Sequence, residues 1–359
     1  MSRKQMLTKK VAHTLLAMSI VSASGLNMWS GTAWAADNGQ DGNDDIRNGV
    51  VISDAYNETV GGTAGTDGTQ GTDANDAGGN GGKGGNASLS GTLTVNDSGK
   101  DVSLTVQGGN GGAGGANPAL TDVNTGNGGA GGSAELQLTV AGEVQTRALQ
   151  LTALAGHGGD GGDAGNGTPP VKGAVLGGGG DGGDAAAGIA ITDGSLKASS
   201  INLTASAGNA GSYGQTTCWG KDNHQNNNGA KGAIASVKGL VLSGQQAEVK
   251  VENNIEITAA GGKGGSGGST YGSIGLAAVG GAAEAYGLVA AGSGAYSVQF
   301  ADLTLKATGG IGGEGGTAST FQNDTNNSNG DVYMSTDGAD GGNAVSKGLL
   351  VQSGVVQLT

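Results

Sequence analysis

Apolar and polar residues alternate along most of the chain in units of similar length. In "ELQLTVAGEVQTRALQLTALA" (135–155), Leu136, Leu138 and Val140 alternate with polar residues, a glycine-containing turn follows, and Leu149, Leu151 and Ala153 resume the alternation. Comparable units occupy 87–107, 185–207, 233–260, 283–308 and, as a partial copy, 344–359. A period of two over five to seven residues, bounded by turn residues, predicts half-buried strands. No stretch after residue 35 keeps a 3.6-residue period, so no helix is expected. Glycines that follow the units, at 108, 156, 208, 261 and 309, are spaced by 48, 52, 53 and 48 residues. One strand pair cannot bury its apolar face alone, whereas stacked copies can. An antiparallel meander would join its strands by tight hairpins. The intervening stretches of 22 residues or more disfavour it. The predicted fold is all-β, a parallel β-solenoid (β-helix) of about five to six coils.

Between the strand units the sequence is glycine-rich and reads as an arm out, a variable tip and an arm back. "GGNGGAGG" (108–115) is answered by "NGGAGGSA" (127–134), and the scheme recurs at 156–184 and, with drift, at 261–282 and 309–342. Two glycines and one variable residue per triplet give a period of three, that of the extended polyproline II helix. A nine-residue arm of that kind reaches roughly 28 Å. Glycine at two of three positions lets arms pack backbone to backbone and leaves the third residue facing solvent. Such composition also suits a flexible linker, but a linker has no reason to keep the period or the pairing. Paired glycine-rich arms projecting from one side of the solenoid are therefore expected, least regular at 208–232. Tyr213, Trp219, Tyr271, Phe321 and Tyr333 fall in the tips, where aromatic side chains beside Asn-rich neighbours suit ligand binding.

Composition changes this picture in three ways. The 79 glycines, 3 prolines and few aromatics exclude an ordinary globular core. Residues 1–35 carry Arg3, Lys4, Lys9 and Lys10, then an apolar run from Val11 to Leu26 and an A-x-A pattern at Ala33 and Ala35, the anatomy of a secretory signal peptide. Without those four cations, 13 of the 17 basic residues stand against 30 acidic ones, a net charge near −17. That excess is opposed to nucleic-acid binding, which needs clustered Lys and Arg. The lone Cys218 allows no internal disulfide. The expected organisation is a signal peptide (1–35), a Gly/Asp/Thr-rich N-terminal segment (36–86) and solenoid repeats of about 50 residues (87–359).

Candidate chemistry is sparse. "GGDGGDAGN" (158–166) and "GGDGGD" (179–184) approximate a calcium-binding nonapeptide, with Asp160, Asp163, Asp181 and Asp184 as candidate ligands. They lack its large apolar residue and do not run in tandem, so no metal site and no cofactor is expected. Only His157 and His224 remain after the leader, and no spacing gathers a nucleophile, base and orienting group. The expected protein is not an enzyme. A solenoid carbohydrate-active enzyme, whose carboxylates need no local motif, and a calcium-binding secreted protein are the alternatives.

The leader, the stacked "LxLxA" units and the glycine excursions together resemble the passenger region of bacterial autotransporter adhesins. That resemblance implies a β-helical, cell-surface structural or adhesive protein that binds host or neighbouring-cell glycans or proteins through its tips. It also implies an outer-membrane β-barrel beyond "VSKGLLVQSGVVQLT" (345–359), which stops partway through a unit as a truncated chain would. The arms are also similar to the PGRS regions of mycobacterial proteins, which share "GGNGGAGG", although the helical domain that precedes those regions is absent here.

Overall fold

The computed structural model describes residues 36–71, 77–117, 124–164, 176–215, 229–268, 270–271, 276–321, 331–335 and 337–358. The expected signal peptide lies outside them. Among the described residues there is no helix, and the strands are β1 (Asp45–Ile52), β2 (Tyr56–Gly61), β3 (Ala87–Leu93), β4 (Asp101–Gln107), β5 (Ala134–Leu154), β6 (Ala185–Ser206), β7 (Ala235–Leu242), β8 (Gln246–Ala260), β9 (Thr270–Tyr271), β10 (Ala283–Ala290), β11 (Ala295–Thr308), β12 (Thr317–Phe321), β13 (Asp331–Ser335), β14 (Ala344–Val351) and β15 (Val355–Leu358).

Twelve of these described strands form one open sheet that follows two paths. The first runs β1-β3-β5-β6-β7-β10-β14, and the second links β2, β4, β5, β6, β8, β11 and β15 in that order. Every pairing along both paths is parallel, and β5 and β6 serve both, one half each. The turn between the halves of β5 is made at Gly142, whose φ of 99° lies in the region that glycine adopts without strain. Parallel neighbours require long connections, and the glycine-rich segments supply them. This all-β, parallel, open architecture is the one expected of a β-solenoid.

Alternation fixes which residues fill the interior. Leu104, Leu151, Leu203 and Ile257 pair in register from strand to strand and are 0–1% exposed. On the first path Leu89, Leu136, Ala187 and Val237 pair in the same way and are 0–4% exposed. Each column is an aliphatic ladder buried on every side except its ends. Burial at about 25 cal/mol per Å² of apolar surface makes these ladders the main favourable term of the fold.

The stack begins at Asp45, within the segment expected to precede it. The columns end there on polar side chains: Arg47 pairs with Leu89 and Glu58 with Leu104. Arg47 donates from Nε and Nη2 to the two carboxylate oxygens of Asp45, both at 3.1 Å, and its Nη1 is ion-paired with Glu58, which also accepts from the Tyr56 hydroxyl. The guanidinium lowers the Asp45 carboxyl below its usual range. Charged groups on the inward-facing positions cover the end of the apolar columns, as a terminal repeat of a stacked protein must. The same substitution erased the alternation that marks the other strand units, so β1 and β2 were not legible as strands.

Candidate functional site

The glycine segments are held by a hydrogen-bond scheme with the period of their sequence. Within 108–115 the first glycine of each triplet donates to a carbonyl of the corresponding segment one level on: Gly108 to Leu154, Gly111 to His157 and Gly114 to Asp160, each at 2.8 Å. The second donates in the opposite sense to the returning segment of the level before: Gly109 to Gly85 and Gly112 to Gly82 at 2.8 Å, and Gly115 to Gly79 at 2.7 Å. Successive N–H groups thus point to different neighbours, and both glycines of a triplet face backbone. A Cβ on Gly111 would lie 2.0 Å from the Gly129 carbonyl oxygen, and one on Gly112 the same distance from that of Thr66.

Where the matching triplet of a neighbouring level carries an acceptor, the third N–H finds that side chain. His157 donates its N–H to Asn110 Oδ1 (2.9 Å), Asn209 donates to His157 Nδ1 (2.8 Å), and Lys263 donates to Asn209 Oδ1 (2.8 Å). The same geometry employs all four aspartates considered as calcium ligands. Asp160 accepts from Ser212 (2.7 Å), Asp163 from Gln215 (2.8 Å), Asp181 from Lys231 (3.1 Å) and Asp184 from Ile234 (2.8 Å). The third residue of the triplet, expected to do no more than face solvent, therefore ties one level to the next across about fifty positions of sequence. Among the described residues no cluster of three His, Cys, Asp or Glu side chains is placed to hold a metal ion.

This ladder makes a direct prediction. Asp160→Ala leaves the Ser212 N–H without its protein acceptor at an exposed position where water substitutes, so stability falls by about 1 kcal/mol or less. Asp160→Asn keeps the acceptor and the stability. Amide exchange at Ser212, faster in Asp160→Ala and unchanged in Asp160→Asn, is the measurement. Equal exchange in both variants contradicts the assignment.

The five tip aromatics are placed differently. Tyr213 is 7% exposed, with its ring near Gly178 and Gly268, and burial raises its hydroxyl above the ordinary tyrosine range. It packs within the glycine segments and presents no ring to an external ligand. Trp219 lies outside the described residues, as do Cys218 and His224. The remaining three come together on a second, three-stranded sheet, β13-β12-β9. Tyr271 of β9 pairs with Ser319 of β12, Ser319 pairs with Tyr333 of β13, and Phe321 pairs with Asp331. Tyr271 thereby shares one small sheet with Phe321 and Tyr333 of the next glycine-rich segment. β12 and β13 pair antiparallel within one excursion, and only the β9–β12 pairing joins successive levels.

A comparison with protein-family models and searches of curated proteins and solved structures returned no match to this chain.

Proposed function

We propose that this chain is a secreted or cell-surface structural and adhesive protein, similar in plan to an autotransporter passenger. In this reading the parallel stack is a β-solenoid stalk. The glycine segments are polyproline II arms that leave it on one side, and the tips they hold are the binding elements. The leader read in residues 1–35 exports the chain by the general secretory route, and the partners are surface glycans or proteins, with no cofactor.

The observation that carries this reading is the small sheet that sets Tyr271 and Tyr333 on either side of Ser319, with Phe321 two residues further along β12. An enzyme needs few groups held over one reacting atom, whereas a binding element needs a set of recognition side chains on a fixed frame. The hydrogen-bonded glycine ladder supplies a frame that a free linker would not.

Beads coated with protein of residues 36–359 carrying Ser195→Ala, which removes a sugar-binding hydroxyl away from the tips, are expected to adhere to a subset of immobilised glycans, matrix proteins or whole cells. The triple variant Tyr271→Ser, Phe321→Ser, Tyr333→Ser loses that adhesion while keeping the β-sheet circular dichroism of the parent. Adhesion that survives the triple substitution, or depolymerisation of a polysaccharide by the purified protein, overturns the proposal.

A further inference from the structure

The turns that join the two strand paths enclose a groove unrelated to the tips, with a volume of about 690 Å³. Three of its small lining residues, Gly142, Gly194 and Ala247, pair in register along the stack. A Cβ on Gly194 would meet the Gly142 carbonyl oxygen at 2.2 Å, so the lining cannot be filled there without displacing backbone. The next residues form a second in-register row, Glu143, Ser195, Glu248 and Ser297. At a strand spacing of about 4.8 Å, the two glutamates stand roughly 10 Å apart with Ser195 between them.

Ser195 is the unusual member. It is 8% exposed although Glu143 and Glu248 on either side are exposed, and its Oγ is the one buried side-chain polar atom among the described residues without a hydrogen-bond partner. Such an atom carries a cost of about 1–3 kcal/mol unless something occupies it. Asp193, also in the lining, has one oxygen committed, since its Oδ1 accepts the N–H of Gln245 at 2.8 Å and of Gln246 at 3.3 Å. The groups left for a ligand are the Glu143 and Glu248 carboxylates and the second Asp193 oxygen, which only accept, the Ser195 and Ser297 hydroxyls, which do both, and glutamine amides. Among the described residues no basic side chain lines the groove.

We infer that this groove binds a segment of an uncharged oligosaccharide. Sugar hydroxyls donate to Glu143 and Glu248 and exchange a hydrogen bond with Ser195 Oγ, and the missing cation disfavours uronic or sulfated sugars. An extended peptide would look for a free strand edge; β6, β8 and β11 pair on both sides at the groove, and among the described residues only the short Gly142–Glu143 stretch of β5 lacks a ladder partner on its far side. The groove stands apart from the tips, so its failure leaves the adhesive reading untouched.

The test is titration calorimetry of the full chain against cellohexaose, maltohexaose, chitohexaose and mannohexaose, with an oligogalacturonate, spermine and calcium chloride as contrasts. At least one neutral sugar binds. Ser195→Ala weakens it tenfold or more without lowering the melting temperature, because the lost hydroxyl had no partner in the free protein. Glu248→Gln, which keeps shape and loses charge, weakens it as well, and the tip triple variant does not. Binding of none of the neutral sugars, tighter binding of the galacturonate, spermine or calcium, or sugar binding indifferent to both groove substitutions overturns the inference.

Discussion

Alanine substitution through the four consecutive glycines 177–180 destabilises the protein at three positions and spares the fourth. A Cβ on Gly177 would lie 1.8 Å from the Gly126 carbonyl oxygen, on Gly179 2.1 Å from that of Gly211, and on Gly180 2.0 Å from that of Gly129. Real Cβ atoms stay beyond 3.0 Å, so relief requires moving a whole backbone segment by about an ångström. Every segment is hydrogen-bonded on two sides, as Gly180 is to Gly159, and a shift that relieves one contact stretches the bonds beside it. Overpacking of about 1–3 kcal/mol and two or three weakened hydrogen bonds of about 1 kcal/mol each give a loss near 4 kcal/mol. Gly178 is the third residue of its triplet. A Cβ there meets nothing closer than Asn127 Oδ1 at 3.6 Å and the Tyr213 ring at 3.7 Å. Gly178→Ala is therefore neutral, or stabilising by up to about 1 kcal/mol through a less flexible unfolded chain. Urea unfolding of the four variants is the measurement. Equal costs at all four positions would mean that the segments are not packed as described.

That contrast also shows how far the sequence could be read. The triplet period marked which glycines have no room for a side chain, and the strand units were visible at nearly their observed limits, since 135–155 became β5 (Ala134–Leu154) and 185–207 became β6 (Ala185–Ser206). Both signals are local, because alternation and triplets repeat within a few residues. What escaped depends on register between levels. The aspartates at 160, 163, 181 and 184 suggested a weak calcium motif because their partners, Ser212 to Ile234, lie about fifty residues away. Once the spacing of the levels is known the signal is plain, since Asn, Asp, His or, at Ser266, Ser stands at the third triplet position where the ladder is made. Tyr213 was misplaced for a related reason. It sits in the stretch least like a glycine arm, and its ring packs against glycines from the levels on either side of its own. The groove around Ser195 was invisible, because only stacking brings Glu143, Ser195 and Glu248 side by side.

Leu151→Ala has the other large expected effect, and its reach along the stack matters more than its size. Leu151 is fully buried between Leu104 and Leu203, so removing three carbons from a column that cannot collapse sideways costs about 3–4 kcal/mol. Leu305 ends the same ladder beyond Ile257 and is only partly buried, so Leu305→Ala costs roughly 1–2 kcal/mol. In a globular core such a loss lowers the stability of the whole unit. Here each level touches only its neighbours, and stability is close to a sum of levels and interfaces. Weakening one interface in the middle divides the stack into two blocks that can open separately. Hydrogen exchange of Leu151→Ala should therefore show lost protection in β4, β5 and β6 and near-native protection in β10 and β11. The urea transition should broaden or split. A uniform loss of protection from β3 to β11 would mean that the glycine ladder, which also links level to level, couples the stack more strongly than the aliphatic columns do.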